Sequence, residues 1–217
     1  MFDVKMPPKK RARVNEGAEA SGPRRPSAAG RSRSAAGPES MGPPVCSRWL
    51  MKSEPESRLK NGVDVKFGIE DLKALPDQTG CWDGVRSYQA RNFIRQMKAG
   101  QLAFFYHSNC KEPGIAGIME VVKEAYGDPT QFDRKDVNYD ASSRADEPKW
   151  SAVDVRFRRM TRRFLPLSEL KRHHLQHRRD GGPLKDVALF TRARLSVQPL
   201  TSEEFDFILS LEDKEPQ

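Results

Sequence analysis

The sequence predicts an α+β fold in which three or four short helices flank a curved, mostly antiparallel sheet or barrel. Residues 63–69 and 151–157 alternate apolar and polar side chains, which is typical of half-buried strands. Between them, residues 90–97 carry apolar side chains at helical spacing. The chain has no internal repeat, and its helical and strand patterns are interspersed, which favours a single mixed domain.

In chain order, the first predicted strand spans residues 63–69, and EDLKAL at 70–75 predicts a short helix after it. The apolar residues of 90–97 recur at i, i+3, i+4 and i+7, as on one face of a helix. Gly100 lies where the end of a helix favours a left-handed residue. Residues 102–106 form an apolar run short enough for a buried strand.

The middle of the chain predicts two further strands around a long loop. Residues 115–122 have a β-like pattern, and Val153, Val155 and Phe157 alternate within 151–157. The intervening residues 127–149 are polar and lack either periodicity. Polar loops of that length in a compact domain are often functional or mobile.

The C-terminal part predicts short elements. Leu167 and Leu170 indicate a short helix, and the apolar runs 187–190 and 195–197 indicate two short strands. A capping box formed by Thr201 and Glu204, followed by apolar residues at helical spacing, predicts a last helix. These boundaries place a folded domain at residues 49–213 and a short C-terminal tail at 214–217.

The N-terminal tail, residues 1–48, has a different composition from the rest. It holds 10 Lys/Arg and 4 Asp/Glu, so residues 49–217 retain 28 and 26 and are nearly neutral. Its Pro, Gly, Ser and Ala content predicts disorder, because it cannot bury enough apolar area to offset its ordering entropy. The tail contains a cluster typical of a nuclear localisation signal that binds an import receptor, formed by Lys9, Lys10, Arg11 and Arg13. Its serines interleaved with arginines, Ser27, Ser32 and Ser34, are candidate phosphorylation sites.

Several protein classes are disfavoured. Cys46, Cys81 and Cys110 have no C-x-x-C spacing and are odd in number, which indicates a reduced intracellular protein without a cysteine zinc site. No apolar run approaches the ~18 residues of a membrane helix, so we expect no membrane association. His173 and His177 share a helix face, but neighbouring cations disfavour a metal there.

Enzymatic chemistry is also disfavoured. His107 and Ser108 are adjacent on a predicted strand and point to opposite faces, so they cannot form a nucleophile–base pair. There is no G-x-S-x-G, no phosphate-binding loop and no deaminase signature. We therefore expect a non-enzymatic protein that needs no cofactor and no metal.

The run 82–109 contains polar and aromatic side chains that packing does not require. They are Trp82, Asp83, Arg86, Tyr88, Arg91, Asn92, His107, Ser108 and Asn109. The sequence predicts a recognition pocket here, because an aromatic group, a guanidinium and a Tyr-His-Ser strand end are expected to lie close together.

Six motifs, in order, carry a resemblance to a known family. They are WLMKSEPES (49–57), WDGVRSYQARNF (82–93), FFYHSN (104–109), PGIAGI (113–118), KWSAVDV (149–155) and RLSVQPLT (194–201). Together they resemble the EVE domain family, which is similar to PUA and YTH domains. The resemblance implies a small PUA-like β-barrel flanked by helices that binds nucleic acid through a pocket for a modified base, with modified cytosine in DNA as the expected substrate. Ser87 stands where the family commonly has Asn, so a base contact made by that amide is not expected here.

Reading a flipped base requires an aromatic face and groups that test the base edge. Trp49, Trp82 and Tyr106 are candidate stacking faces, although core packing is the alternative for each Trp. Arg86 is a candidate for stacking or bidentate phosphate binding, with an ion pair to Asp83 as the alternative.

Four of the matched motifs supply the remaining candidate base-binding residues, which are Ser53, Pro55, Val85, His107, Ser108, Leu195 and Ser196. Ser53, His107 and Ser108 can test a base edge, together with backbone groups beside Pro55. For His107 the alternative is a satisfied core histidine.

Three cations are candidate phosphate contacts. Arg192 and Arg194 would project from one face of a predicted strand as a phosphate clamp, and salt bridges are the alternative. Lys52 is either a phosphate contact or a solvated surface charge.

The predicted function is therefore a nuclear, monomeric reader of a modified base, with methylated or hydroxymethylated cytosine in DNA favoured as its ligand. RNA binding, a nucleotide-processing enzyme and a protein-interaction adaptor are the alternatives.

Overall fold

A computed structural model describes residues 47–216 of the chain. The localisation signal, the serines proposed for phosphorylation and nearly all of the N-terminal tail lie outside the described residues. Within them, the first strand begins at Arg48 and the last helical turn ends at Asp213.

A six-stranded sheet forms the centre of the molecule. Its strands are β1 (Arg48–Ser53), β4 (Thr79–Trp82), β5 (Leu102–His107), β6 (Gly114–Gly127), β7 (Ser151–Pro166) and β8 (Val197–Leu200). A separate two-stranded ribbon consists of β2 (Leu59–Lys60) and β3 (Val63–Asp64). The order across the large sheet is β4-β7-β6-β5-β1-β8. The β1–β5 pair is parallel and the other four pairs are antiparallel.

Helices cover both faces of this sheet. They are α1 (Ile69–Lys73), α2 (Tyr88–Ile94), α3 (Leu167–Asp180), α4 (Ala188–Thr191) and α5 (Ser202–Ser210). Short 3-10 turns occupy Pro76–Gln78, Pro129–Gln131, Pro183–Asp186 and Leu211–Asp213. None of the helices within residues 47–216 has the length and apolar character needed to cross a membrane.

The long β6–β7 pair bends the sheet. Its register shifts at several points, including between Ile115 and Gly117 and between Val121 and Lys123. Register shifts of this kind bend a strand and increase its twist. Gly117 permits a close approach of the two strands, because a Cβ there would lie 2.7 Å from the carbonyl oxygen of Arg159 on β7. The two strands are joined by residues 128–150, which match the predicted polar insertion.

Alternating residues of the central strands divide the core into two layers. On β1 and β5, Trp49, Met51 and Phe105 pack with α1 and α2 on one face. Leu50 and Phe104 point to the opposite face and pack with α3 and α5. This arrangement follows from the two-residue period of a strand.

The α+β prediction and the mostly antiparallel sheet are confirmed. The capping box is also confirmed, because the Thr201 hydroxyl accepts the Glu204 N–H at 3.1 Å and Glu204 accepts the Thr201 N–H at 2.7 Å. Gly100 has a φ of +85°, as the left-handed turn requires.

Three element predictions were wrong. The strand predicted over 63–69 ends at Asp64, whose carboxylate accepts the N–H of Lys66 and turns the chain, so that Phe67 reaches the core. Residues 188–191 form a helix, α4, because a short apolar run does not by itself distinguish helix from strand. The next strand occupies Val197–Leu200 instead of 195–197.

Candidate functional site

A pocket of about 250 Å³ opens where four parts of the chain meet, namely 52–53, Phe67, 82–87 and Ser196. It is lined by Lys52, Ser53, Phe67, Trp82, Asp83, Gly84, Val85, Arg86, Ser87 and Ser196. Sheet pairing brings the first and last of these together, since the backbone N–H of Lys52 donates to the Ser196 carbonyl at 2.8 Å. The Ser53 hydroxyl donates to the Phe67 carbonyl at 2.6 Å and thereby holds Phe67 at the end of β1.

The apolar wall of the pocket is continuous with the core. Phe67, Trp82 and Val85 are all buried members of the core layer beneath α1 and α2. Trp82 is only 5% exposed and meets the rings of Phe67 and Phe105 edge-on, with centroids 6.1 and 5.4 Å away. Trp82 therefore serves as both a core residue and a pocket wall, and the two predicted alternatives coexist.

Arg86 makes structural contacts that sequence reasoning did not predict. Its Nη1 lies 2.7 Å from Asp128 Oδ2, its Nη2 donates to the Thr130 hydroxyl at 2.9 Å, and its Nε donates to the Asn138 carbonyl at 2.9 Å. The structure shows an ion pair of Arg86 with Asp128, a partner in the insertion that the sequence did not indicate. Because these bonds occupy most of the guanidinium, bidentate phosphate binding by Arg86 is not supported in this conformation.

Asp128 connects the insertion to the pocket. Its carboxylate is 0% exposed and also accepts the backbone N–H of Gly84 at 2.9 Å. Burial by itself would raise the pKa of Asp128, but hydrogen bonds from Arg86, Thr130 and Gly84 outweigh it and hold the pKa below its usual value. An ionised Asp128 thus positions the backbone of the pocket-lining segment 82–87.

Lys52 provides a cation at the pocket. Its Nζ donates to the Ala193 carbonyl at 3.1 Å and lies 5.7 Å from the centroid of the Tyr106 ring. Partial burial lowers its pKa. Of the three protons of an ammonium group, one is used by Ala193, so Lys52 retains donors for a ligand.

Ser87 combines two roles at the edge of the pocket. Its hydroxyl oxygen accepts the backbone N–H of Ala90 at 3.5 Å and caps the N-terminus of α2. A capping serine is replaced by asparagine at little cost in helix stability. The Ser at this position is therefore compatible with the local fold.

Two predicted stacking residues lie in the core. Trp49 is 0% exposed, and its Nε1 donates to Gln101 at 2.8 Å, so it has no free face for a base and its stacking role was wrong. Tyr106 is buried on the opposite face of the sheet, where burial raises the pKa of its hydroxyl. Neither residue lines the pocket, because strand alternation directs both into the core.

His107 and Pro55 lie in a separate, shallower depression of about 350 Å³. The Nε2 atom of His107 accepts the Ile69 N–H at 3.2 Å, and burial lowers the pKa of the imidazole despite the nearby Asp71 and Glu70. His107 is therefore the satisfied histidine of the alternative interpretation. Ser108 is outside the pocket as well, and its hydroxyl donates to the Ser53 carbonyl at 3.1 Å.

The predicted strand face at 192–195 is absent. Arg192 and Arg194 lie in an exposed turn between α4 and β8, where the Leu195 N–H donates to the Arg192 carbonyl at 3.0 Å. Leu195 is buried in the core, and Ser196 lines the pocket. The alternation argument for a clamp was wrong, although both guanidiniums remain exposed beside a pocket residue.

Phe67, Gly84 and Ser87 line the pocket without having been predicted as site residues, and Asp83 was singled out only as part of the polar and aromatic run 82–109. The turn dipeptide Asp83-Gly84 was a usable signal, because Gly84 has a φ of +74° and the turn follows the pocket tryptophan directly. Phe67 carried no such signal, since its alternation with Val65 predicted a strand.

Comparison with known proteins adds independent evidence. The family model of the EVE domain matches residues 47–211. Thymocyte nuclear protein 1 of Danio rerio is 77% identical over 173 residues, covering 80% of this chain and 75% of the relative. Thymocyte nuclear protein 1 of Homo sapiens is 71% identical over 172 residues, covering 79% of this chain and 76% of the relative.

Solved structures agree with this relationship. A crystal structure of human THYN1 in complex with 5-methylcytosine-containing DNA superposes with a TM-score of 0.77 at 70% identity, covering 78% of this chain and 99% of that one. A protein from Leishmania major superposes with a TM-score of 0.66 at 40% identity, covering 78% of this chain and 96% of that one. The family match extends over all the residues that build the pocket, and the chain belongs to the EVE domain family.

Proposed function

We propose that this protein is a non-enzymatic DNA-binding domain that recognises a modified cytosine, of the 5-methyl or 5-hydroxymethyl type, through the pocket lined by Ser53, Trp82 and Ser196. The observation that carries the proposal is this pocket on a chain 70% identical to a protein solved with 5-methylcytosine-containing DNA. That relative favours DNA over RNA as the ligand.

The size and chemistry of the pocket support a single base as its occupant. Its volume of about 250 Å³ is below the ~300–1,000 Å³ of pockets for drug-sized ligands. Phe67, Trp82 and Val85 supply an apolar wall, and hydroxyl, ammonium and carboxylate groups surround it. A base inside a duplex cannot reach such a pocket, so we propose that the target nucleotide is flipped out.

Different groups are assigned to the base and to the backbone. Ser53 and Ser196 line the pocket and are proposed to test the base edge. Arg192 and Arg194 are exposed and are proposed to hold phosphates. Lys52 lines the pocket, and its Nζ bonds to Ala193 of the same turn as the two arginines. We propose that it contacts either the base or a phosphate.

The cellular context is proposed on the tail and on the relatives. The basic cluster at residues 9–13 is proposed to bind an import receptor, and the relatives named thymocyte nuclear protein 1 favour a nuclear location. We propose that the chain divides into a basic tail at 1–48 and the domain at 49–213, and that it is monomeric.

Two substitutions separate base recognition from phosphate binding. Ser53→Ala removes a pocket hydroxyl, so we expect it to reduce the preference for methylated over unmodified DNA by about 1 kcal/mol. Arg194→Ala removes an exposed cation proposed to contact a phosphate, and a phosphate is the same beside every base. The affinities for methylated and unmodified DNA should therefore fall equally, with a salt slope about one unit shallower. Titration of both variants against paired oligonucleotides at two salt concentrations measures these effects.

Ser210→Ala is the matched control, because its hydroxyl also donates to a backbone carbonyl, that of Phe207 at 2.8 Å, but on α5 outside the pocket. It should change neither affinity nor preference. If Ser53→Ala and Arg194→Ala lose affinity in parallel with unchanged preference, the domain is a general nucleic-acid binder and the proposal is wrong.

A further inference from the structure

The charged and polar lining of the pocket is asymmetric. Among the ten described residues that line it, Asp83 is the one acid. Lys52 and Arg86 are cations, and three serines supply hydroxyl groups. An ionised carboxylate only accepts hydrogen bonds, whereas an ammonium or guanidinium only donates them. Asp83 is therefore the one anionic acceptor among the charged side chains of this lining, and the other two charged side chains are cations.

This pattern distinguishes two bases of nearly the same shape. 5-Methylcytosine and thymine both carry a methyl group at C5. At position 4, cytosine carries an amino group that donates, and thymine carries an oxygen that accepts. A carboxylate accepts from the cytosine amino group, which is the pairing of Asp or Glu with cytosine. Against thymine the same carboxylate would face an acceptor and repel it.

The position of Asp83 is held from both sides. Trp82 before it ends β4, where it pairs with Val153 and packs in the core. Gly84 after it donates its N–H to the buried Asp128 at 2.9 Å. A Cβ on Gly84 would lie 2.9 Å from Asn138 Nδ2, so the insertion closes over this turn. Groups held in this way recognise a ligand without paying for reorganisation on binding.

We propose that Asp83 is the residue that selects cytosine over thymine, by accepting a hydrogen bond from the 4-amino group of the flipped base. This inference rests on the proposed function and adds to it the base edge that the pocket senses. A carboxylate has about four acceptor sites, so Asp83 can accept this bond in addition to the contacts it already makes. Methylation at C5 is sensed by other parts of the pocket.

The test combines a change in the protein with a change in the base. Asp83→Asn replaces one carboxylate oxygen with an amide that donates. Oligonucleotides identical except for one position carry 5-methylcytosine, cytosine, thymine or 5-methyl-2-pyrimidinone, which lacks the 4-amino group. Titration of the full-length wild type and variant against all four gives a cycle that isolates the coupling between Asp83 and the amino group.

We expect the wild type to bind 5-methylcytosine roughly tenfold more tightly than thymine or 5-methyl-2-pyrimidinone, and Asp83→Asn to lose most of that preference. The preference of the variant for 5-methylcytosine over cytosine should remain. Asp206→Asn, an exposed acid on α5, is the matched control and should behave as the wild type. Thermal unfolding of each variant shows that the fold is retained.

Two results would overturn the inference while leaving the proposed function in place. In one, Asp83→Asn keeps the full preference for 5-methylcytosine over thymine. In the other, the wild type binds 5-methylcytosine and 5-methyl-2-pyrimidinone equally well. This second result needs only the wild type, so it decides the question even if the variant does not fold. A wild type that fails to distinguish 5-methylcytosine from cytosine would instead overturn the proposed recognition of a modified base.

Discussion

At the scale of single residues, the molecule uses its most polar side chains to build the pocket before any ligand arrives. Arg86 bonds to Asp128, Thr130 and Asn138, three residues of the insertion. Trp82 packs against Phe67 and Phe105 and at the same time faces the pocket. Arg86 and Trp82, whose chemistry suits nucleic acid, thus also make structural contacts that position their neighbours.

Arg86→Ala tests this structural role. The substitution leaves the carboxylate of Asp128, which is 0% exposed, without its cation, and breaking a buried ion pair costs roughly 3–5 kcal/mol. We expect the free energy of unfolding in urea to fall by about that amount. The double variant Arg86→Ala with Asp128→Asn removes both charges and should be less destabilised than Arg86→Ala alone. A variant of unchanged stability that only loses DNA affinity would restore the phosphate-binding role.

At the scale of elements, the insertion at residues 128–150 is ordered by its own carboxylates. Asp140 accepts the Ser142 N–H at 2.9 Å and the Trp150 Nε1–H at 2.7 Å. Trp150 stacks on Tyr88 of α2 with ring centroids 5.0 Å apart. These contacts join the insertion to the helix that follows the pocket segment, so a long polar loop becomes part of the site.

The insertion should therefore loosen in acid. Hydrogen bonds from Ser142 and Trp150 lower the pKa of Asp140 to about 2, against ~3.9 in an unfolded chain. A lowered carboxyl pKa contributes stability that is fully present above pH ~3.9 and is lost as the pH falls towards 2. The indole N–H resonance of Trp150 should shift over this range, and Asp140→Asn should abolish the shift.

The indole of Trp49 is an internal reference for that experiment, because it donates to the neutral amide of Gln101. Its resonance should stay constant while that of Trp150 moves. Parallel shifts of both indoles would indicate global unfolding, and the local role assigned to Asp140 would be incorrect.

At the scale of the whole molecule, net positive charge is concentrated outside the domain. The full chain has a formal net charge of +8, and the first 48 residues, with 10 Lys/Arg against 4 Asp/Glu, contribute +6 of it. The domain itself is nearly neutral, so we expect it to contribute little long-range attraction to DNA beyond the phosphate contacts proposed for Arg192 and Arg194. We expect most of the sequence-independent attraction to phosphates to come from the tail and to depend on salt.

Deleting residues 1–46 tests this division and leaves β1, which begins at Arg48, complete. We expect unchanged thermal unfolding and unchanged preference for methylated DNA. Affinity for any DNA should fall, and its salt slope should become shallower by ~0.9 for each phosphate that the tail no longer neutralises. Nuclear accumulation of a fluorescent fusion should decrease.

Substituting Lys9, Lys10, Arg11 and Arg13 with Gln in the full-length chain is the companion experiment for localisation. It should reproduce the loss of nuclear accumulation while retaining the other tail cations. Full accumulation in both variants would contradict the localisation signal, and a shortened chain that unfolds at a lower temperature would contradict the domain boundary.

The sequence by itself determined the α+β class, the central strands, the helix at Tyr88–Ile94 and the last helix with its capping box. These features depend on residues close together in the chain, because burial of one face imposes a period of 2 or 3.6 on nearby side chains. The family motifs predicted Ser53, Trp82 and Ser196 as site residues, and all three line the pocket.

Only the tertiary structure decided which candidates share a pocket. Trp49 and Tyr106 lie in matched motifs, yet both side chains are buried in the core, on opposite faces of the sheet. Arg86 pairs with Asp128, 42 positions away in the chain. Residues distant in sequence become neighbours through sheet pairing and loop packing, and local patterns carry no record of those long-range contacts.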